Sequence, residues 1–426
     1  MRKLTICNIG PLKEVELNLK RVNVVIGPQS VGKSCILKIA CFCAWLEKQI
    51  ELSQSKKVTD DINFWEECLI EFHKLEGFIK DGCGAKFSYN TSTMNFSYDF
   101  DNNDFKFNWK SNGRWKYERT RISYIPAERN IVGAIPNLLD VDLPENNIKN
   151  FIIDWNKSRQ NYDFKEQLNI LNLGVHYYYD ESKGKDMLNI GTDNPLSFSD
   201  SSSGLQSPIP MWVYLDYLFE KQYTSHKVSS SISTTTGNDF ILQNIYSTKY
   251  KRGVQQKVEK GEACYEKIGN VILAFESQES ANSCRKLFET YTKNSRSDIY
   301  LEEPEQNLFP QTQVELVYDL LKKSIVRGDS IFIATHSPYI LYALNNCMLG
   351  YLVKDKVSKD LSDKSDSWID PKEVSVWELR DGKLSSEIDI KTSTLQDKDG
   401  LIRGNYFDRI MHNIMADFTN YSVYYE

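Results

Sequence analysis

Between Leu4 and Leu19, apolar and polar residues alternate on either side of a Gly10-Pro11 turn, which predicts two short strands. Val22-Asn23-Val24-Val25-Ile26 reads as a short buried strand, followed by a glycine-containing turn and a helix from about Lys33 to Leu52. The period of two is clearest from Phe87 to Tyr124. There Phe87/Tyr89, Phe96/Tyr98/Phe100, Phe105/Phe107/Trp109 and Trp115/Tyr117 recur at alternate positions, with Asn-Asn and Asn-Gly turns between them. An antiparallel meander of three or four strands is the expectation.

From about Asn146 to Leu171 the spacing turns helical, and a second helix is predicted from about Pro208 to Lys221, with Trp212, Leu215, Leu218 and Phe219 on one face. Ser229 to Gly237, almost wholly Ser and Thr, reads as a loop, and Phe240 to Phe275 shows no dominant period. A helix through Ser280–Tyr291 leads to a second buried strand, Ile299-Tyr300-Leu301. A third, Ser330 to Thr335, closes the core pattern. Leu401 to Phe418 reads as a helix whose apolar side carries Ile402, Ile410, Ile414 and Met415. There is no internal repeat and no sustained heptad run.

Composition narrows the class. With 426 residues, 41% hydrophobic and 26% charged, the chain is long enough for a large α/β core with insertions. No apolar run approaches the ~20 residues of a membrane span, and Met1 to Thr5 lead directly into a strand, so a cytoplasmic location without a membrane partner is expected. Nine scattered cysteines form no C-x-x-C pair, which argues against a zinc site or a disulfide framework. A net charge of −6 argues against a surface that is everywhere a polyanion-binding field, while leaving a local basic groove for nucleic acid open.

Candidate chemistry lies at the strand ends. Gly27-Pro28-Gln29-Ser30-Val31-Gly32-Lys33-Ser34 fits G-x-x-x-x-G-K-[ST] and sits between a strand and a helix. Its backbone N–H groups would curl around phosphates, with Lys33 neutralising the β- and γ-phosphates and Ser34 ligating Mg²⁺. Ile299 to Leu301 deliver Glu302 and Glu303: the first is expected to hold Mg²⁺ through its water, the second to polarise an attacking water. Glu302 stands where such sites more often have Asp. Ile331 to Ala334 deliver His336, expected beside the γ-phosphate as hydrogen-bond donor and sensor. Ser201-Ser202-Ser203-Gly204-Leu205-Gln206 precedes a helix and on its own fits any N-capped helix. For Arg129, in Tyr124-Ile125-Pro126-Ala127-Glu128-Arg129, a phosphate-directed role and a structural one are both open.

The order of these segments, together with Asn8 to Lys13, Val25 to Gln29 and Glu302-Glu303-Pro304-Glu305-Gln306-Asn307-Leu308-Phe309-Pro310, resembles ABC-type ATPases of the Rad50, SMC, RecF and OLD class. The resemblance is greatest to the ATPase subunits of bacterial anti-phage systems of the PARIS or Septu type. It covers roughly residues 1–140 and 290–350. It implies an α/β fold: an ABC-type P-loop head with a mixed central sheet, an antiparallel β subdomain and a helical lobe. Three regions are expected: a first ATPase lobe over 1–145, a helical lobe with the signature motif over 146–290, and the completed core with a tail over 291–426. ATP and Mg²⁺ are the implied cofactors. The protein would form a dimer or higher oligomer through its ATP sites, with Ser202, Ser203 and Gly204 binding the γ-phosphate held by the opposite protomer. Asn307 would lie in a loop crossing to that protomer. The resemblance also implies a phage-derived trigger and a separate effector, a nuclease on another chain. Direct action on DNA, as in RecF or Rad50, is the alternative.

Overall fold

The computed structural model describes residues 2–111, 113–135, 138–191, 194–224, 232–358, 363–385 and 394–425. Its frame is an 11-stranded mixed sheet. The strands of its first part are β1 (Arg2–Ile9), β2 (Leu12–Leu19), β3 (Val22–Ile26), β4 (Lys86–Asn90), β5 (Met94–Asp99), β6 (Asp104–Trp109) and β7 (Thr120–Ile125). Two small sheets follow, one of β8 (Leu168–Asn169), β9 (His176–Asp180), β10 (Lys185–Asn189) and β11 (Leu196–Ser197), the other of β12 (Cys264–Ile268) and β13 (Val271–Phe275). The large sheet is completed by β14 (Arg296–Glu302), β15 (Ser330–Ala334), β16 (Val374–Arg380) and β17 (Lys383–Ser385), in the order β6-β5-β4-β1-β2-β17-β16-β3-β15-β14-β7.

Strands β16, β3, β15, β14 and β7 run parallel to one another, while β6, β5, β4, β1 and β2 form an antiparallel wing. A parallel segment needs both faces covered, and alternate residues of these strands supply both. Val22, Val24, Ile26, Ile299, Leu301, Ile331, Ile333, Val374 and Val376 enter one core, beneath helices Asn147–Arg159, Pro208–Asp216, Pro310–Arg327 and Pro338–Val353. Val25, Tyr300, Phe332, Trp377 and Leu379 enter the other, with helix α1 (Lys33–Ser53) and the antiparallel wing. Among the described residues, no helix is long and apolar enough to cross a membrane.

Several expectations are corrected. The third strand does not close the core, because β16 inserts beside β3 at the centre of the sheet. The meander has three strands: β7 leaves it to pair with β14, and Trp115 and Tyr117 pack against Tyr291 instead of forming a fourth. Within the predicted Ser/Thr loop, Ser229 to Ser231 lie outside the described residues, whereas the backbone from Ile232 on is helical, in Ile232–Ile245. The stretch from Phe240 to Phe275 holds the end of that helix, a second helix, Lys251–Glu259, and the β12–β13 hairpin. With helix Gln278–Thr292 these close a separate small core around Leu242, Ile245, Phe275, Cys284 and Tyr291. Ile402 belongs to no helix; it bridges to Gln396, and the C-terminal helix is Tyr406–Ser422.

Candidate functional site

Because β3 is flanked on both sides by parallel strands, its end delivers Gly27 to the carboxyl edge of the sheet, where open α/β sheets place ligands. Gly27 has φ +150°, and a Cβ there would lie 2.4 Å from the Leu379 carbonyl oxygen, so the approach of β16 requires glycine. Gly32, at φ +106°, precedes the first turn of α1, which has no acidic residue. Unopposed N–H groups therefore face outward at a helix start that favours an anion. Lys33 is buried, and its ammonium donates to the carbonyls of Gly27 at 3.0 Å and Pro28 at 2.6 Å. Burial lowers its pKa to about 8, against the opposing pull of Glu303 and Glu305.

This loop floors a cavity of about 1150 Å³. Gln29, Ser30, Gly32, Lys33 and Ser34 line it, as do Glu303 and His336 from the neighbouring strand ends. The β1–β2 turn, Gly10 to Lys13, and Phe78 close another side, and Lys13, Lys38 and Lys80 add positive charge. These last residues belong to no phosphate-binding motif. Folding brings them in: the Gly10 N–H donates to the Phe78 carbonyl at 2.6 Å.

The two adjacent carboxylates face different ways. Glu302 is buried; its oxygens accept from the Tyr124 hydroxyl at 2.5 Å and the Ala127 N–H at 3.2 Å, so it stands behind the cavity wall. Glu303 has φ +42°, and its N–H donates to the Ala334 carbonyl at 2.8 Å before the chain turns. That turn sends its carboxylate into the cavity, 3.7 Å from Nε2 of His336. Burial and then Lys33 lower the His336 pKa, which favours the neutral imidazole.

Arg129 is fully buried and takes the structural alternative. One guanidinium nitrogen donates to the carbonyls of Pro126 at 3.1 Å and Glu302 at 2.8 Å, the other to that of Glu303 at 2.6 Å. Glu305 was given no role from sequence. Its carboxylate accepts from the His336 N–H at 2.6 Å, fixing the turn that presents the imidazole, and burial raises its pKa. Only its position after Pro304, within two residues of Glu303, hinted at such a part.

The other predicted residues gather elsewhere. Ser202 and Ser203 are exposed, and a Cβ on Gly204 would lie 4.0 Å from the Asn307 carbonyl oxygen. Ser207 donates to Gln306 at 3.1 Å, tying the two loops together. Asn307 is exposed with φ +61°. None of Ser202, Ser203, Gly204 and Asn307 lines the P-loop cavity.

For Mg²⁺ the fit is partial. Such an ion takes most of its ligands from phosphates and water, with one or two protein groups. The exposed Ser34 hydroxyl at the cavity is one such group, while both oxygens of Glu302 are engaged elsewhere. Among the described residues there is no group of three or more His, Cys, Asp or Glu that could hold a metal.

No protein-family model matches the chain, and no curated protein matches it. Likenesses to solved structures exist at low identity. The SMC head domain from Thermotoga maritima is 10% identical, covering 80% of this chain and 90% of that one, with a TM-score of 0.36. The recombination mediator protein RecF, in its RecF-ATPrS structure, is 13% identical, with coverage of 90% and 96% and a TM-score of 0.30. The dimeric bacterial ABC transporter cassette MJ0796 is 11% identical, with coverage of 90% and 97% and a TM-score of 0.27. Values this low carry no functional argument. The chain's own topology defines the class: an α/β protein with a mixed sheet and a P-loop sequence between β3 and α1.

Proposed function

We propose that the chain is an ABC-type ATPase whose ATP site is completed by a second copy. The observation that carries this reading is the separation of the predicted residues into two surfaces. Gln29, Ser30, Gly32, Lys33, Ser34, Glu303 and His336 surround one cavity, while Ser202 to Gly204 and Asn307 adjoin on a patch outside it. Two copies packed head to tail bring each patch to the other's cavity, and a ligand touching both favours the assembled state.

In such a site, the P-loop N–H groups and Lys33 bind the β- and γ-phosphates of ATP. The Ser34 hydroxyl is the chain's ligand to Mg²⁺, which when bound neutralises phosphate charge. Glu303 orients water and takes its proton, and His336, held by Glu305, donates from its imidazole to the γ-phosphate. Hydrolysis gives ADP and phosphate. We assign Glu302 an outer role, reached only if its contact with Tyr124 opens.

The finer reading is a switch that senses a phage-derived trigger and controls a separate nuclease. The motif resemblance to anti-phage ATPase subunits supports it.

Mixing separates the composite site from a site within one chain. Lys33→Ala and Ser202→Glu variants should each be inactive alone, and mixing them should restore part of the turnover, because one of the two sites then combines an intact P-loop with an intact patch. No recovery on mixing, in samples shown to exchange protomers, would sink the reading. Native mass spectrometry of the protein from its own host tests the effector: a stoichiometric second polypeptide is expected.

A further inference from the structure

Among the described residues, the bonds that fasten the C-terminal helix, Tyr406–Ser422, to the body lie near its start. Asn405 caps it, accepting from the Phe407 and Asp408 N–H groups at 2.9 and 3.2 Å. The Tyr342 hydroxyl donates to Asp408 at 2.6 Å, and Arg409 donates to the Gly404 carbonyl at 2.8 Å and to the buried Glu378. From Ile410 to Tyr425 every residue is exposed. The exposed residues are not of the kind a solvated helix carries: Phe418 is 68% and Tyr421 72% accessible, and Ile414 and Met411 exceed half.

Their spacing is informative. Met411, Ile414, Phe418 and Tyr421 follow at intervals of three and four, the a and d positions of two heptads, with Ile410 and Met415 flanking the seam. That pattern fits a helix lying along another helix at a shallow angle. Beyond Arg409 the described helix carries a single charge, Asp417. An anionic membrane or a nucleic acid would call for Lys and Arg on the polar face, which here holds His412, Asn413 and Asn420, while Asp417 flanks the seam one heptad after Ile410. Two identical stripes, by contrast, meet without like-charge repulsion in the seam. The stripe also offers on the order of 800 Å² per copy, the share each partner gives to a standard interface.

We propose that this helix is a self-association arm, which pairs with the same helix of a second copy independently of nucleotide. No residue of the arm lines the P-loop cavity, and its pairing does not depend on the ATP reading. It gives the protein two modes of assembly, one set by ligand and one standing.

Sedimentation velocity of the full chain in nucleotide-free buffer, over a broad range of concentration, tests this. The comparison is between wild type, Lys33→Ala and the double variant Ile414→Glu/Phe418→Glu. Wild type and Lys33→Ala should pass from monomer to dimer with similar constants. The double variant should associate at least ~10-fold more weakly, as expected when central anchors are lost. Both positions are exposed, so its melting temperature should match wild type, which separates lost pairing from lost folding. A double variant that dimerises like wild type, or a wild type monomeric at every concentration, would overturn the proposal. So would a stoichiometric foreign polypeptide that copurifies with wild type and is lost from the double variant.

Discussion

Replacing Arg129 by lysine tests whether the guanidinium holds the end of β14 in its working shape. Arg129 satisfies three buried carbonyls at once, and burial lowers its pKa to about 10 against the opposing pull of Glu305, Glu303 and Glu302. It is thus a cation whose planar fork matches a fixed set of acceptors. A lysine ammonium at the same place cannot reproduce that fork, and at least one carbonyl is left without a donor. Hydrogen bonds to charged groups contribute about 1.5–3 kcal/mol each, and a stranded buried acceptor costs about 1–3 kcal/mol. The expected loss is therefore about 3 kcal/mol. With an unfolding entropy of about 2.1 cal/mol/K per residue, that lowers Tm by roughly 3 °C if the chain unfolds as one unit. The functional effect should be larger than the thermal one. Glu303 holds a left-handed backbone conformation, and its carbonyl is one of the three that Arg129 clamps. Relaxation of that turn takes the carboxylate away from His336 and leaves the P-loop untouched. Phosphate-release kinetics should show kcat down by ~10-fold or more with ATP affinity within about twofold of wild type, since an interaction made only in the transition state is what is lost. A Lys variant with wild-type Tm and kcat would refute the clamp.

Three further outcomes follow from the same geometry. Glu303→Gln should bind ATP as wild type does while turnover falls by about 10²–10⁴-fold, the share a positioned base contributes; unimpaired phosphate release would remove Glu303 from its role. Lys33, with its pKa lowered to about 8, is partly neutral at about pH 8.5. Phosphate charge favours the ammonium, so ATP binding should take up a proton there but not near pH 6.5. Calorimetry in buffers of different ionisation heat reads this directly, and buffer-independent heats at the higher pH would contradict it. Glu51 is fully buried, and burial first and foremost raises its pKa to about 7. The fold therefore binds that proton more tightly than the unfolded chain does. Its stabilising contribution is complete below about pH 4.5 and is lost as pH rises through about 7, on the order of 3 kcal/mol in all. Glu51→Gln should have a higher urea midpoint than wild type at pH 8 and a similar one near pH 5; equal midpoints at both would oppose the assignment.

What could be read from sequence follows from where the apolar pattern was local. The run Val22 to Ile26 before G-x-x-x-x-G-K-[ST] fixed β3, the loop and α1 together, and the apolar runs before Glu302 and His336 located β14 and β15. Strand β16 was missed because Ser375 and Glu378 interrupt its apolar run. Glu378 tolerates burial because Arg380, at 2.8 Å, and Arg409 carry the opposite charge, and one of these partners lies 31 residues away. Strand β7 was grouped with its sequence neighbours, although its partner β14 begins at Arg296. The same limit applies at the site. Motif spacing pointed to Lys33, Ser34, Glu303 and His336, which line the cavity, but the rim from Gly10 to Lys13 and Phe78 exists only through long-range contact. The burial of Glu302 against Tyr124 was equally invisible, because nothing in Glu302-Glu303 says which carboxylate faces the cavity.

That last distinction is made by the backbone. While β14 stays extended, its side chains alternate between the two cores: Tyr300 enters one, Leu301 the other. Glu302, the last residue of the strand, meets Tyr124 on the adjacent strand β7, close to the parity that puts Tyr300 and Tyr124 in one core. Had the strand continued, Glu303 would have pointed into the opposite core as an unpaired buried charge, which is among the most costly arrangements a fold can contain. The left-handed turn at Glu303 rotates it out to the cavity instead. Such a conformation at a non-glycine residue costs on the order of 1–3 kcal/mol and persists only where the surroundings over-determine it. Here those surroundings are the Ala334 carbonyl, which takes the Glu303 N–H, and Arg129, which takes the Glu303 carbonyl. The same few bonds therefore end the strand, orient the carboxylate and resist the strain of doing so. For this reason a conservative change at Arg129, a residue outside the cavity, is expected to impair turnover while leaving ATP affinity nearly unchanged.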